Sequence, residues 1–460
     1  MNPISSQQTS VAGRLSQWLG DLSYGALPPA AKQQVTSVLL DVAGLCVAAR
    51  NTDYVRSVLT ASVDAGSVTA IGHGGAFDAA SACLINGIAI HGEDFDDTFE
   101  EGIVHSGAVV VPAVLAACER FGRSGSDAAL GIAAGLEVMC RLSLVAPTAI
   151  HRAGFHPTAI LGPFGAAAGA GLALGLTGPQ LAAAFGITGS MAGGLIEYLA
   201  DGSWTKRMHA GWAAQSGLRA ALLAKHEFTG PRTVFEGRHG LFAGFAPDVS
   251  PDFKRLIDDL GTRWEIESIA FKPYACGTIC QPFIDCAIEL AQQGIRADDI
   301  ADILCEVGEG SVHRLWEPLS EKHRPATPYA AKFSVPYCLA VGFIDGDAGL
   351  LQFTPARISD PEVISLTGKV RYVIDPDNEY PRNFTGHLRA TLKDGSTHEI
   401  RRPHLRGGTQ APLSRADLVA KFKANTAFGG WDQELSDQLR SFCENIDGQS
   451  DMRGLVQFRR

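Results

Sequence analysis

The chain has 460 residues, 46% apolar and only 19% charged, with 51 glycines and a formal net charge of −10. At roughly 150 residues per domain this is two or three domains with ample chain for a large core, and the scarcity of charge excludes disorder as the main state. The acidic balance excludes nonspecific binding to nucleic acid or to an anionic membrane, both of which need basic surface, so an anionic ligand has to be attracted by local cations.

The first half reads as helices. Apolar residues recur at helical spacing over 30–49 and over 76–91, where Asp78 is a candidate cap, and further helices are predicted at 108–121, 126–143, 160–175, 179–193 and 208–226. Breaks fall at Gly122 to Gly125, at Pro147 and at the Thr-Gly-Pro triplets of 177–179 and 229–231. Residues 157–196 contain no charge and are long enough to cross a bilayer. They are dominated by Ala and Gly and carry Pro163 and Pro179, which predicts a buried helical hairpin. After Trp264 the pattern alternates in 264–271, 302–313, 366–374 and 384–400, with a Lys-Asp-Gly-Ser turn inside the last and helices at 282–293, 328–343 and near 361–366. Beyond Gly408 two helical stretches follow. The expected fold class is mostly α with α+β: an all-helical domain over 1–265, a smaller α+β lid domain over 266–405, and C-terminal helices over 406–460 packing back on the helical domain.

The N-terminus lacks the basic and apolar regions of a secretory signal. Ten cysteines, mostly beside apolar neighbours, fit reduced core thiols, and Cys276, Cys280 and Cys286 match no familiar zinc or iron–sulfur spacing. A cytoplasmic protein without membrane attachment is expected.

The densest polar cluster is HGEDFDDTFEEGIVHSG, residues 91–107. If the preceding helix continues, His91, Asp94 and Thr98 share a face, with Asp97 beside Asp94. An acidic run at a helix C-terminus opposes the helix dipole, and local rules fail most where function overrides them. His105, in a Gly-flanked loop, is the candidate general acid or base. Loops at 154–158, 201–212 and 271–277 add His156 together with Lys206, Arg207, His209 and Lys272, the last four being the natural counter-charges for a carboxylate. No phosphate loop, dinucleotide fingerprint, nucleophile elbow or zinc helix is found, so nucleotide and redox cofactors are unsupported. The DFDD run is similar to the Asp-rich magnesium sites of isoprenoid synthases, but the second motif such a site needs is missing.

The sequence resembles the MmgE/PrpD family, which includes 2-methylcitrate dehydratase, cis-aconitate decarboxylase and iminodisuccinate epimerase. The motifs are NGIAIHGEDFDDT with the following His105 and VVPAVLAACE, GFHPTAILGPFGAA, WTKRMHAGWAAQSGLRAALLA with GPRTVFEGRHG, FKPYACG with PFIDCA, and AAKFSVPYCLA, in family order from about residue 20 to residue 345. The resemblance implies a helical domain with an α+β lid, a homodimer, and no metal, iron–sulfur cluster or organic cofactor. It matches His105, Asp94, Lys206, Lys272, His156 and Tyr337, expected to be catalytic, and Thr98, expected to bind substrate; Arg207, His209 and His91 join the substrate-binding candidates on their positions in the loops and the polar cluster. The expected activity is a cofactor-independent lyase acting by proton abstraction next to a carboxylate. Dehydration of a hydroxylated di- or tricarboxylate comes first, then epimerisation of an imino- or amino-dicarboxylate, then cis-aconitate-type decarboxylation; a ligand-binding paralogue is the non-enzymatic alternative. The chain departs from the family pattern at Ser106 after His105, at the Glu-Glu-Gly that lengthens the Asp94–His105 spacing, at Gln281 and at Glu93.

Overall fold

The computed structural model describes residues 9–62 and 65–460. The chain divides into two compact units, one formed by residues up to 92, 96–269 and 418–460, the other by 93–95 and 270–417.

The first unit is helical: α1 (Val11–Asp21), α2 (Pro29–Ala49), α3 (Asp53–Ala61), α4 (Ala79–His91), α5 (Gly107–Phe121), α6 (Gly125–Ser143), α7 (Pro157–Ala173), α8 (Gly178–Thr188) and α9 (Thr205–Lys225). Local chemistry sets their ends. Asp78 caps α4 by accepting from the Ala80 and Ser81 N–H groups, Ser124 and Asp127 form a capping box on α6, and Gly122 ends α5 at φ 61°. The uncharged stretch is two helices, and α7 is buried along its whole length. Among the described residues no single helix is long and apolar enough to cross a membrane; the apolar α2–α3 pair is bent by 89°.

Small residues allow these helices to approach closely. A Cβ built on Gly135 would lie 2.7 Å from the Gly165 carbonyl oxygen, and one on Gly217 would lie 2.4 Å from that of Pro163, so α6 and α9 each meet α7 backbone to backbone. Two buried ion pairs complete the unit. Lys421 meets Asp41 at 2.6 Å, joining the C-terminal residues to α2. The fully buried Arg141 donates to Glu137 at 2.5 Å and to the carbonyls of Asp258 and Arg263, closing the loop between them.

The second unit contains α10 (Gln281–Gln292), β1 (Ile300–Val307), α11 (Val335–Asp345), β2 (Val370–Ile374), β3 (Gly386–Leu392) and β4 (Thr397–Arg402). The sheet order is β2-β1-β3-β4, with β1 parallel to β2 through Ile303 opposite Val370, and β3 and β4 forming the expected hairpin. A helix, α12 (Arg415–Phe428), leads out of this unit and is followed by α13 (Gln433–Glu444). The mostly α, α+β fold class is the one observed.

The stretch expected to be all-helical also holds a short hairpin, Ala65–Thr69 with Ala76–Phe77, so the helix expected from 76 starts at Ala79; three later segments differ as well. Residues 264–271 are a 3-10 turn, Glu265–Ser268, ahead of a two-residue strand, because the Ile266 N–H is drawn to the buried Glu137 carboxylate at 3.0 Å. The 302–313 strand stops at Val307; Gly308 then opens a helix over Glu309–Leu315, with the Ser311 hydroxyl on the Gly308 carbonyl. The 328–343 helix is broken, since Ser334 caps α11 afresh by accepting from the Tyr337 N–H and Pro336 occupies its first turn.

Candidate active site

Helix α4 does not continue through the acidic cluster, so His91, Asp94 and Thr98 do not share a helical face. It ends at His91; Gly92 still has helical angles and donates to the Ile88 carbonyl, and it packs on Tyr54, where a Cβ would lie 2.4 Å from the ring. The chain turns at Asp94, with φ 54°, a left-handed conformation uncommon for non-glycine residues and most frequent in Asn and Asp. Thr98 and Phe99 are extended, and Phe99 and Val104 exchange backbone hydrogen bonds. That pair brackets residues 100–103, so the extra Glu-Glu-Gly forms the loop tip and His105 returns to Thr98, with Oγ1 and Nδ1 at 3.3 Å.

The aspartates are buried rather than solvated. Asp97 accepts the Gly107 N–H through both oxygens and the Ser106 hydroxyl, which anchors the start of α5 and gives Ser106 a structural duty. Burial, then the neighbouring Asp96 charge, push the Asp97 carboxyl up to about 7. Its pKa is therefore higher folded than unfolded, so its contribution to stability is full below about pH 4 and is lost as pH rises through 7. His209 has the opposite sign: burial, with the neighbouring His91 and Lys206, lowers it to about 4, and its contribution is lost as pH falls below 6.5. Asp97→Asn is therefore expected to unmask a thermal midpoint that climbs from pH 4 to 6.5. A profile parallel to the parent's would contradict this assignment.

Four histidines gather in the helical unit. His91 and His105 rings are 4.8 Å apart, His91 and His156 stack at 5.7 Å, and His156 and His209 are 5.2 Å apart. Around His105 Nδ1 lie the Asp97 carbonyl at 2.8 Å, Thr98 Oγ1 at 3.3 Å and Asp96 Oδ2 at 3.6 Å. A carbonyl only accepts, so Nδ1 holds a proton and is committed to that contact. His91 Nδ1 bonds Asp96 Oδ2 at 2.7 Å. The donor atoms of His91, Asp96 and His105 lie within 4.8 Å of one another, close enough to consider a metal ion. A cation there would have to displace the proton bridging His91 to Asp96 and the one His105 gives to the Asp97 carbonyl, so the donor set is a poor fit. Burial lowers His156 well below the ordinary imidazole range, helped by His91 and by the Lys206 charge, and Lys206 is itself buried.

The second unit carries its own charged group. Lys272 donates to the Asp94 carbonyl at 2.8 Å and its Nζ is 3.8 Å from the Asp94 carboxylate; the Tyr329 hydroxyl donates to that carboxylate at 2.9 Å. Lys332, almost fully buried, reaches both the carbonyl and the carboxylate of Glu93 at 2.7 Å. The unusual Glu93 is thus the partner of a buried lysine. Gln281 is also buried and donates weakly to the Cys276 carbonyl at 3.4 Å. Tyr337 donates to the Gln352 carbonyl at 2.5 Å, and the tyrosine on Asp94 is Tyr329. Arg207 lies over the Tyr54 ring at 4.3 Å. Sequence reasoning missed Tyr329 and Lys332, although both lie in or just before the AAKFSVPY motif. All ten cysteines are buried free thiols.

Comparison with known proteins gives a consistent result. Residues 13–254 match the MmgE/PrpD N-terminal domain and residues 274–440 the MmgE/PrpD C-terminal domain. The chain is 31% identical over 383 residues to cis-aconitate decarboxylase of Homo sapiens, covering 80% of this chain and 77% of that protein. It is 30% identical over 362 residues to cis-aconitate decarboxylase of Mus musculus, covering 75% and 71%. With cis-aconitate decarboxylase of Aspergillus terreus it shares 26% identity over 482 residues, covering 98% and 96%. With both domains matched in order and identity extending over most of its length, the chain belongs to the MmgE/PrpD family.

Proposed function

We propose that this enzyme, a lyase or isomerase of its family, is a cofactor-independent carboxy-lyase acting on an unsaturated tricarboxylate of the cis-aconitate type. The observation that carries the reading is the hydrogen bonding of His105, which commits Nδ1 to the Asp97 carbonyl and Thr98, so that a proton exchanged with substrate passes through Nε2. The names of the similar proteins move decarboxylation ahead of dehydration, the outcome expected first from the resemblance.

The reaction balances with one proton in and one carbon dioxide out. His105 enters as the imidazolium and delivers its Nε2 proton to the vinylic carbon, becoming the neutral Nδ1–H ring; the carbon–carboxylate bond of the adjoining methylene breaks, and its electron pair forms the new double bond. Asp96 and the Asp97 carbonyl stabilise the imidazolium that carries this proton, and Thr98 orients the ring. Lys206 and Lys272 are assigned the substrate's carboxylate charge, Asp94 positions Lys272, and His156 is a secondary substrate or proton contact. Dehydration and epimerisation would use the same nitrogen as a base. The test is NMR in deuterated water with cis-aconitate, 2-methylcitrate, citrate and iminodisuccinate. Decarboxylation of the first, with one deuterium entering the product, is expected; absence of product and of deuterium from every compound would overturn the reading. Activity lost on chelation would count against cofactor independence.

We further place this enzyme in the cytoplasm, on its ten free thiols, and as a homodimer. Trp204, Met208 and Trp212 stand at helical spacing at the start of α9 and are 47%, 40% and 44% exposed, an apolar stripe suited to a second copy. Trp212→Glu is expected to convert a dimer to monomer in light-scattering chromatography. A parent that elutes as a monomer would rule out this surface.

A further inference from the structure

Two buried imidazoles face each other through the same nitrogen: His156 Nδ1 and His209 Nδ1 are 3.1 Å apart. Two neutral rings satisfy that contact in only one manner, with one Nδ1 carrying the proton and the other offering its lone pair. The ring that donates has a bare Nε2, and the ring that accepts holds its proton at Nε2. The tautomers of the two rings are therefore complementary.

Neither ring escapes the constraint by becoming charged. Both are buried, and His91 and the Lys206 ammonium oppose a positive charge on either, with His105 adding to the effect on His156. His156 is also the N-cap residue of α7, where the helix dipole disfavours a cation. The geometry is held from several sides. His91 stacks on His156 with 23° between ring planes, Tyr198 presents its ring to both imidazoles at 6.0 and 5.8 Å, and the glycine contact of α7 with α9 fixes the helices that carry the pair.

We infer that His209 is a positioning residue that fixes the tautomer of His156 and so decides whether His156 offers substrate a proton donor or a lone pair at Nε2. A neutral His209 locked in this pair is not a counter-charge for a carboxylate. The inference rests on the proposed contact of His156 with substrate, and its structural half can be tested without any substrate.

Histidine-selective 15N labelling of the full-length protein reads the tautomer of each ring at pH 7, with the two rings identified by their loss in His156→Asn and His209→Asn. One Nδ1–H ring and one Nε2–H ring are expected in the parent; two Nε2–H rings would overturn the pairing, whatever the activity. In His209→Leu, His156 should lose its fixed tautomer, and kcat should fall about 10-fold or more while KM stays within about 3-fold. His209→Asn, whose amide occupies the Nδ1 position and can donate or accept, should restore most of both. An unchanged His156 tautomer in the Leu variant, or an Asn variant no better than Leu, would overturn the inference. A parent inactive on every polycarboxylate would instead remove the proposed function and leave the labelling result to decide the pairing.

Discussion

His105→Asn is expected to lower kcat by about 100-fold or more, the usual cost of losing a positioned acid or base. Asparagine is the informative replacement because its amide can still donate to the Asp97 carbonyl from near the Nδ1 position, while nothing remains where Nε2 stood. The loop should survive, since Phe99 and Val104 hold it through backbone atoms and the residue 105 N–H is bound to Thr158 Oγ1 at 3.2 Å. The loss should therefore appear in kcat with an unchanged thermal midpoint. Turnover within a few-fold of the parent would show that the exchanging proton belongs to another group.

Lys332→Met should destabilise the protein by about 3–5 kcal/mol, because it leaves the Glu93 carboxylate in a largely buried place without its cation. Glu93→Met together with Lys332→Met should recover most of that loss, since exchanging a whole buried pair for apolar side chains is often close to neutral. Denaturant titration of the two single variants and the double variant measures the coupling directly. Additive losses would mean that the 2.7 Å pair is not an energetic unit. The double variant also has a functional readout. Lys332 holds the residue immediately before Asp94, whose left-handed backbone needs support, so catalysis should remain impaired after stability has returned.

Legibility in the sequence followed the range of the forces involved. The helices were readable because apolar spacing, the Asp78 cap and the Gly122 stop act within one turn of the chain. The end of α4 was not, since the chain turns at Asp94, whose carbonyl is held by Lys272, 178 positions away. Burial of the acidic run was anticipated only as a conflict with the helix dipole, and the resolution, Asp97 at the head of α5, required His105 to be brought back by the loop. Motif matching named Tyr337, while the tyrosine on Asp94 is Tyr329, eight residues earlier in the same region. A motif fixes a neighbourhood, and only the break at Ser334 decides which hydroxyl points where.

The backbone pairing of Phe99 with Val104 has a consequence for altering this protein. Because those two residues exchange their hydrogen bonds, the loop is closed at its base, and the number of residues in the tip is uncoupled from the distance between Thr98 and His105. Ile103, in that tip, is 44% exposed. Ile103 is thus the place in the tip for a spectroscopic label, whereas Gly102 is closed to exchange, since a Cβ there would lie 1.7 Å from Ser143 Oγ.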